Sequence, residues 1–133
     1  MKLLLLFVIV FISLTSANNL KLAYHDHGSV TGGLYSQFYL PTIPELSDTN
    51  KLVVVMFPLS GDAHLFVSSE RNATKEHHYW NSTHTGPNFI IVKKSDPNYK
   101  TGNYFISIFG IWDTKFKVLA YISDGFFFFI LIF

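Results

Sequence analysis

Apolar and polar residues alternate along most of this 133-residue chain, and that period of two predicts strands. Leu20, Leu22 and Tyr24 alternate with Lys21, Ala23 and His25. Leu34, Ser36, Phe38 and Leu40 alternate with Tyr35, Gln37 and Tyr39. Lys51 to Phe57 is a continuous β-branched and apolar run, the pattern of a strand covered on both faces. Leu65 and Val67 share a face opposite Phe66, and Phe89 to Val92 is short and apolar. Tyr104, Ile106 and Ile108 form one face, with Phe105, Ser107 and Phe109 on the other. Phe116, Val118, Ala120 and Ile122 alternate against Lys115, Lys117, Leu119 and Tyr121.

Turn residues separate these runs: His27-Gly28, Gly32-Gly33, Ser60-Gly61-Asp62, Thr85-Gly86-Pro87-Asn88, Ser95-Asp96-Pro97-Asn98 and Thr101-Gly102-Asn103. Pro41 and Pro44 are expected to bracket a loop, because proline removes a ladder donor. The polar stretch from Ser69 to Gly86 reads as a long exposed excursion, with room for one short strand around His78 to Trp80. No apolar pattern persists at helical spacing over three turns. Seven or eight short strands with frequent turns therefore predict an all-β fold, an antiparallel β-sandwich.

Both ends break the pattern. Lys2, the unbroken apolar run Leu3 to Ile12, and the small residues Ser13 to Ala17 have the order of a secretory signal peptide. A bilayer span needs roughly 20 apolar residues, so the run is too short to cross. Cleavage is expected after Ala17, which predicts a secreted or extracellular product and a single sandwich domain over residues 18–124. The last eight residues, Phe126 to Phe133, are only Phe, Ile and Leu. Exposed, they would invite aggregation. Two readings account for this 125–133 tail: a last buried strand, or a gene-model artefact that reads past a true exon, with the natural protein continuing differently after Asp124. The sequence reading favours the artefact.

Charge narrows the partners. Ten Lys and Arg stand against nine Asp and Glu, and Lys2 leaves with the signal, so the mature domain is neutral. No basic stripe is present for a nucleic acid. No stable membrane span is expected. Cysteine is absent, so stability must come from apolar burial rather than disulfides. The sequons Asn72-Ala73-Thr74 and Asn81-Ser82-Thr83 make Asn72 and Asn81 candidate glycosylation sites in an exported chain.

Candidate chemistry is sparse. His25 and His27 lie two apart on a strand and share a side, where two imidazoles could begin a Zn²⁺ or Cu²⁺ site completed by His64 or His84. The favoured reading is a solvated strand end without metal, and no cofactor is expected. No G-x-S-x-G elbow or paired-carboxylate motif points to catalysis. Exposed aromatics offer more: Tyr79 and Trp80 beside the sequons could stack on a sugar or a partner surface. Trp112, in the turn from Gly110 to Thr114, is expected to cover one end of the sandwich.

Several segments together resemble a known family. Gly61-Asp62-Ala63-His64-Leu65-Phe66-Val67 is similar to the G-D-x-D-L-Y-V segment of bacterial pre-peptidase C-terminal domains. Gly102-Asn103-Tyr104-Phe105-Ile106-Ser107-Ile108 resembles that family's G-x-Y-Y-I-x-V strand. Phe116-Lys117-Val118 looks like its closing strand, and Gly28 to Gly32 with Tyr35 to Leu40 like its opening hairpin. The resemblance implies a jelly-roll-like sandwich with no catalytic residues, in a family where some members bind calcium or matrix polymers. His64 replaces the second Asp of G-D-x-D, which removes a hard oxygen ligand. Asp62 is therefore read first as a turn residue bonding nearby amides, and second as a ligand-binding residue. The function expected is a secreted, non-enzymatic module that binds an extracellular glycan, matrix or protein partner. The alternative is an accessory domain of a secreted hydrolase whose catalytic part would follow Asp124.

Overall fold

The computed structural model describes residues 20–123, with side chains from Tyr24 onward. It contains eight strands: β1 (Leu20–Val30), β2 (Tyr35–Ile43), β3 (Lys51–Ser60), β4 (Ala63–Ser68), β5 (Trp80–Ser82), β6 (Asn88–Lys93), β7 (Gly102–Gly110) and β8 (Thr114–Ser123). One antiparallel sheet has the order β1-β8-β3-β6 and the other β2-β7-β4-β5. These are the two sheets of an eight-stranded jelly roll. Both the sandwich and its jelly-roll character match the expectation from sequence. The signal peptide and the 125–133 tail lie outside the described residues.

The period of two explains the core. Leu52, Val54 and Met56 of β3, Leu65 and Val67 of β4, Ile106 and Ile108 of β7, and Phe116, Val118 and Ala120 of β8 point inward and are buried. Burying such aliphatic or aromatic side chains stabilises by about 1.5–3 kcal/mol each before entropy is counted. Phe116 is fully buried, with its ring edge-on to Phe38 at 5.8 Å and against Gly28, where an added Cβ would come within 3.1 Å.

Four expectations need correction. Pro41 does not open a loop but lies inside β2. β2 is an edge strand, so a missing donor can face away from the sheet, and the register slips between Leu40 and Ile43 with Thr42 at φ 56°. Leu34, read with Ser36, Phe38 and Leu40 as the start of one alternating strand, falls in the β1–β2 turn and is 59% exposed. The short strand lies at Trp80–Ser82, two residues beyond the expected start. Finally, residues 69–79 are not a free excursion. They strap the outer face of the β2-β7-β4-β5 sheet: the His78 ring packs on Phe66 at 5.0 Å, Lys75 Nζ lies 4.4 Å from the Phe109 ring centroid, and the Lys75 amide donates to Tyr35 Oη at 2.9 Å. A sheet with aromatics on its outer face needs such a cover, and the strap explains why Phe66 is buried.

Burial pushes the Tyr104 and Tyr121 phenols up to about 12, and burial with the Asp26 hydrogen bond does the same for Tyr24. A phenol raised in the folded chain stays neutral where the unfolded chain has begun to ionise. Its stabilisation is complete below pH 10 and is lost as pH rises through about 12. Phenolate absorbance should show Tyr24, Tyr104 and Tyr121 titrating late, with the denaturant midpoint falling above pH 10. Seven phenols titrating together near 10 in the folded protein would contradict the burial described.

Candidate functional site: the crossover-loop end of the sandwich

Jelly-roll order sends the β1–β2, β3–β4, β5–β6 and β7–β8 connections to the same end of the sandwich. Backbone bonds fasten them together there. The Asp62 carbonyl accepts from the amides of Ile111 at 2.9 Å and Trp112 at 3.2 Å, and from Thr114 Oγ1 at 2.8 Å. The Gly33 amide donates to the Gly110 carbonyl at 2.7 Å, and the Gly32 amide to Asp113 Oδ1 at 2.9 Å. Glycine makes this packing possible. A Cβ on Gly61 would meet the Asp113 carbonyl, and one on Gly110 would lie 2.7 Å from the Thr31 carbonyl.

Asn88, fully buried at the start of β6, holds the β5–β6 loop to the same frame. Its Nδ2 donates to the carbonyls of Ala63 at 2.9 Å, His84 at 3.0 Å and Gly86 at 3.2 Å. Its Oδ1 accepts from Ser82 Oγ and the His84 amide, both at 2.8 Å. Sequence reasoning placed Asn88 in a turn and missed this role. The only available signal was a polar residue at the head of an apolar run.

On this frame stand three exposed apolar side chains: Trp112 at 68%, Leu34 at 59% and Leu59 at 54%. Trp112 was expected to close the end of the sandwich. It projects from it instead, because Thr31, Gly32 and Asp62 already fill the space beneath with backbone. A tryptophan held on a bonded turn presents a large surface with little ordering entropy left to lose.

The residues singled out by sequence fall elsewhere or act differently. Asp62 does form the turn, but through its carbonyl, and it is Asp113 whose carboxylate bonds an amide. Asp62 Oδ1 is buried without a partner among the described residues. Trp80 leans on the core, with its ring 5.9 Å from Tyr104 and its Nε1 donating to Asp96 Oδ2 at 3.1 Å. Tyr79 donates to Glu70 Oε2 at 2.7 Å, and Lys100 Nζ lies 2.6 Å from Glu70 Oε1. Hydrogen bonds from Lys100 and then Tyr79 hold the Glu70 carboxyl below its ordinary range. Its stabilisation is present above the ordinary pKa and is lost as pH falls through the depressed one.

Asn72 is exposed on the strap, and Asn81 is exposed on β5, where its Nδ2 lies 3.0 Å from His78 Nε2. His25 and His27 do share the outer side of edge strand β1, and both are exposed. His27 is opposite Lys117, a neighbour that opposes a bound cation. Among the described residues no three His, Cys, Asp or Glu side chains gather in a metal-holding group. Among the described residues no helix is long and apolar enough to cross a membrane.

The fold and this end define an eight-stranded jelly-roll β-sandwich whose tip, built from connections that cross between the sheets, carries exposed apolar side chains. No family model and no curated protein matches the chain. Among solved structures it is similar to the crystal structure of Aeromonas hydrophila PliG, titled a periplasmic lysozyme inhibitor of g-type lysozyme. The TM-score is 0.52 at 12% identity, covering 83% of this chain and 91% of that one. The likeness is one of fold.

Proposed function

We propose that the chain is an exported, non-catalytic binding module that engages a protein partner through Trp112, Leu34 and Leu59. The observation that carries this reading is the large exposure of Trp112 and Leu34 on turns fixed by backbone hydrogen bonds, with Leu59 exposed near the end of β3 at the same end of the sandwich. Exposed apolar groups cost solubility, and apolar side chains held at one end of a fold suit an interface centre. Export rests on the order of the first seventeen residues. A non-catalytic role agrees with the absence of a nucleophile or acid–base motif in the sequence, and an inhibitor with a similar fold supports a protein rather than a glycan as the partner. Kinship with pre-peptidase C-terminal domains stays part of the proposal, resting on the Gly61 to Val67 and Gly102 to Ile108 segments.

The test uses mature wild-type protein and Trp112→Ala as paired baits. They are presented to a purified g-type lysozyme, an extracellular protein extract and a glycan array. A protein retained by the wild type should bind Trp112→Ala more weakly by about 2 kcal/mol or more, while the thermal midpoint stays put because the ring is mostly in water. A partner held equally by both baits, or retention only by glycans, would overturn the reading.

A further inference from the structure

Strand register sets two like charges face to face. Lys51 opens β3, Lys93 ends β6, and the two are directly opposed in that antiparallel pair. Residues so placed have Cβ atoms about 5 Å apart, and like charges there destabilise the sheet. The row continues to Ser123 of β8, and the next row on the same face holds Val53, Ile91 and Tyr121, so neither row brings a carboxylate. Among the described residues Lys51 and Lys93 form no ion pair. The Asp96 carboxylate, near Lys93 in sequence, accepts from the Lys93 amide at 2.9 Å and from Trp80 Nε1 at 3.1 Å.

A pocket of about 260 Å³ lies at this place, and its lining includes both lysines, Lys94, Ser47, Asp48 and Asn50. Three lysines against the single acid Asp48 leave two positive charges there, in a mature domain that is neutral as a whole. Glu45, outside the lining, stands 3.6 Å from Lys94 in an exposed pair of the kind that holds weakly. Hydrogen-bonded turns form the walls. Asn50 Oδ1 accepts from the Ser47 amide at 2.6 Å, and Ser47 Oγ accepts from the Asn50 amide at 3.1 Å, which fixes the Asn50 side chain and leaves its Nδ2 to donate. Across the pocket the Asp96 amide donates to the Lys93 carbonyl at 3.0 Å.

We propose that this pocket binds a phosphate group, free or esterified to a small molecule. Lysine meets an anion as a point charge, which suits a compact, multiply charged phosphate, whereas a planar carboxylate suits the fork of arginine. The volume falls below the roughly 300–1,000 Å³ of pockets for drug-sized ligands, so the pocket takes a small anionic group. A bound phosphate relieves the repulsion between Lys51 and Lys93. The start of β3 and the end of β6 lie at the end of the sandwich opposite Trp112, so the site is independent of partner binding there.

Calorimetric titration of the mature chain with inorganic phosphate, glycerol 3-phosphate and acetate, at matched ionic strength, reads the site. At least one phosphate compound should bind with a Kd of about 1 mM or tighter, and at least about tenfold more tightly than acetate. The tighter of the two shows whether the site takes the free ion or the ester. Lys51→Gln and Lys93→Gln should each weaken binding at least about tenfold, while Lys115→Gln, exposed near the start of β8 at the other end, leaves it unchanged. The first two substitutions should also raise the thermal midpoint of the ligand-free protein by about 2 °C, since each removes one of the opposed charges, and a raised midpoint separates lost binding from lost folding. Four results would each overturn the proposal: no heat from either phosphate compound at about 10 mM, acetate bound as tightly, binding retained in both variants, or a midpoint lowered in both.

Discussion

Gly61→Ala is expected to cost about 3 kcal/mol or more, a large share of the stability of a domain this size. Two effects add. Gly61 has φ +80°, a conformation an L side chain resists. A Cβ there would also overlap the Asp113 carbonyl and come within 2.7 Å of Thr114 Oγ1 and 2.9 Å of Thr114 Cα. Backbone cannot swing aside as a side chain can, and moving it would break the bonds that Asp62 makes to Ile111, Trp112 and Thr114. Gly86→Ala is the control: its φ is +87°, but the Cβ would meet open space, so only the conformational cost of about 1 kcal/mol applies. Chemical denaturation of both variants separates the two effects. If Gly61→Ala loses no more than Gly86→Ala, backbone contact between the β3–β4 and β7–β8 turns does not set the stability of that end. The same variant should disturb the placement of Trp112, and hence binding by any partner that uses it.

Asn88→Asp comes next, at about 3 kcal/mol at neutral pH. Shape is retained, but two N–H donors become an acceptor that faces the carbonyls of Ala63, His84 and Gly86. A buried carboxylate among carbonyls has its pKa raised. Its protonated form can donate one bond again, so the deficit should shrink as pH falls through that raised pKa. Denaturation at several pH values checks the sign. A deficit that does not change between neutral and acid pH would mean that the amide is not acting as the donor described.

The strands were legible because alternation is a local property: Tyr104, Ile106 and Ile108 could be assigned inward from their spacing alone. Leu34 shows where this fails. It continues the alternation of β2 but sits in the turn, since the Gly33 conformation at φ +83° is set by a bond to the distant Gly110 carbonyl. Pro41 misled for a related reason. A proline excludes an inner strand, and nothing local says that β2 would be an edge. The covered outer faces were only half visible. The unbroken run in β3 announced burial on both sides, whereas the His78 ring over Phe66 depends on where the strap returns.

The candidate site was mostly illegible. Tyr79 and Trp80 drew attention as aromatics in a polar stretch, yet the Trp80 indole is occupied by Tyr104 and Asp96, which lie far from it in sequence. Leu59 gave no signal, and Trp112 was expected to be a cap.

By itself the sequence determined the period-two strands, their inward faces, the turns rich in glycine and the need to fold without disulfides. These follow from residue-level geometry and from solvent exclusion. Tertiary structure alone decided which strands are edges, which four turns converge, and that Trp112 stands in water above a glycine-packed floor. Such facts depend on contacts between residues dozens of positions apart, and no local pattern encodes the distance between them.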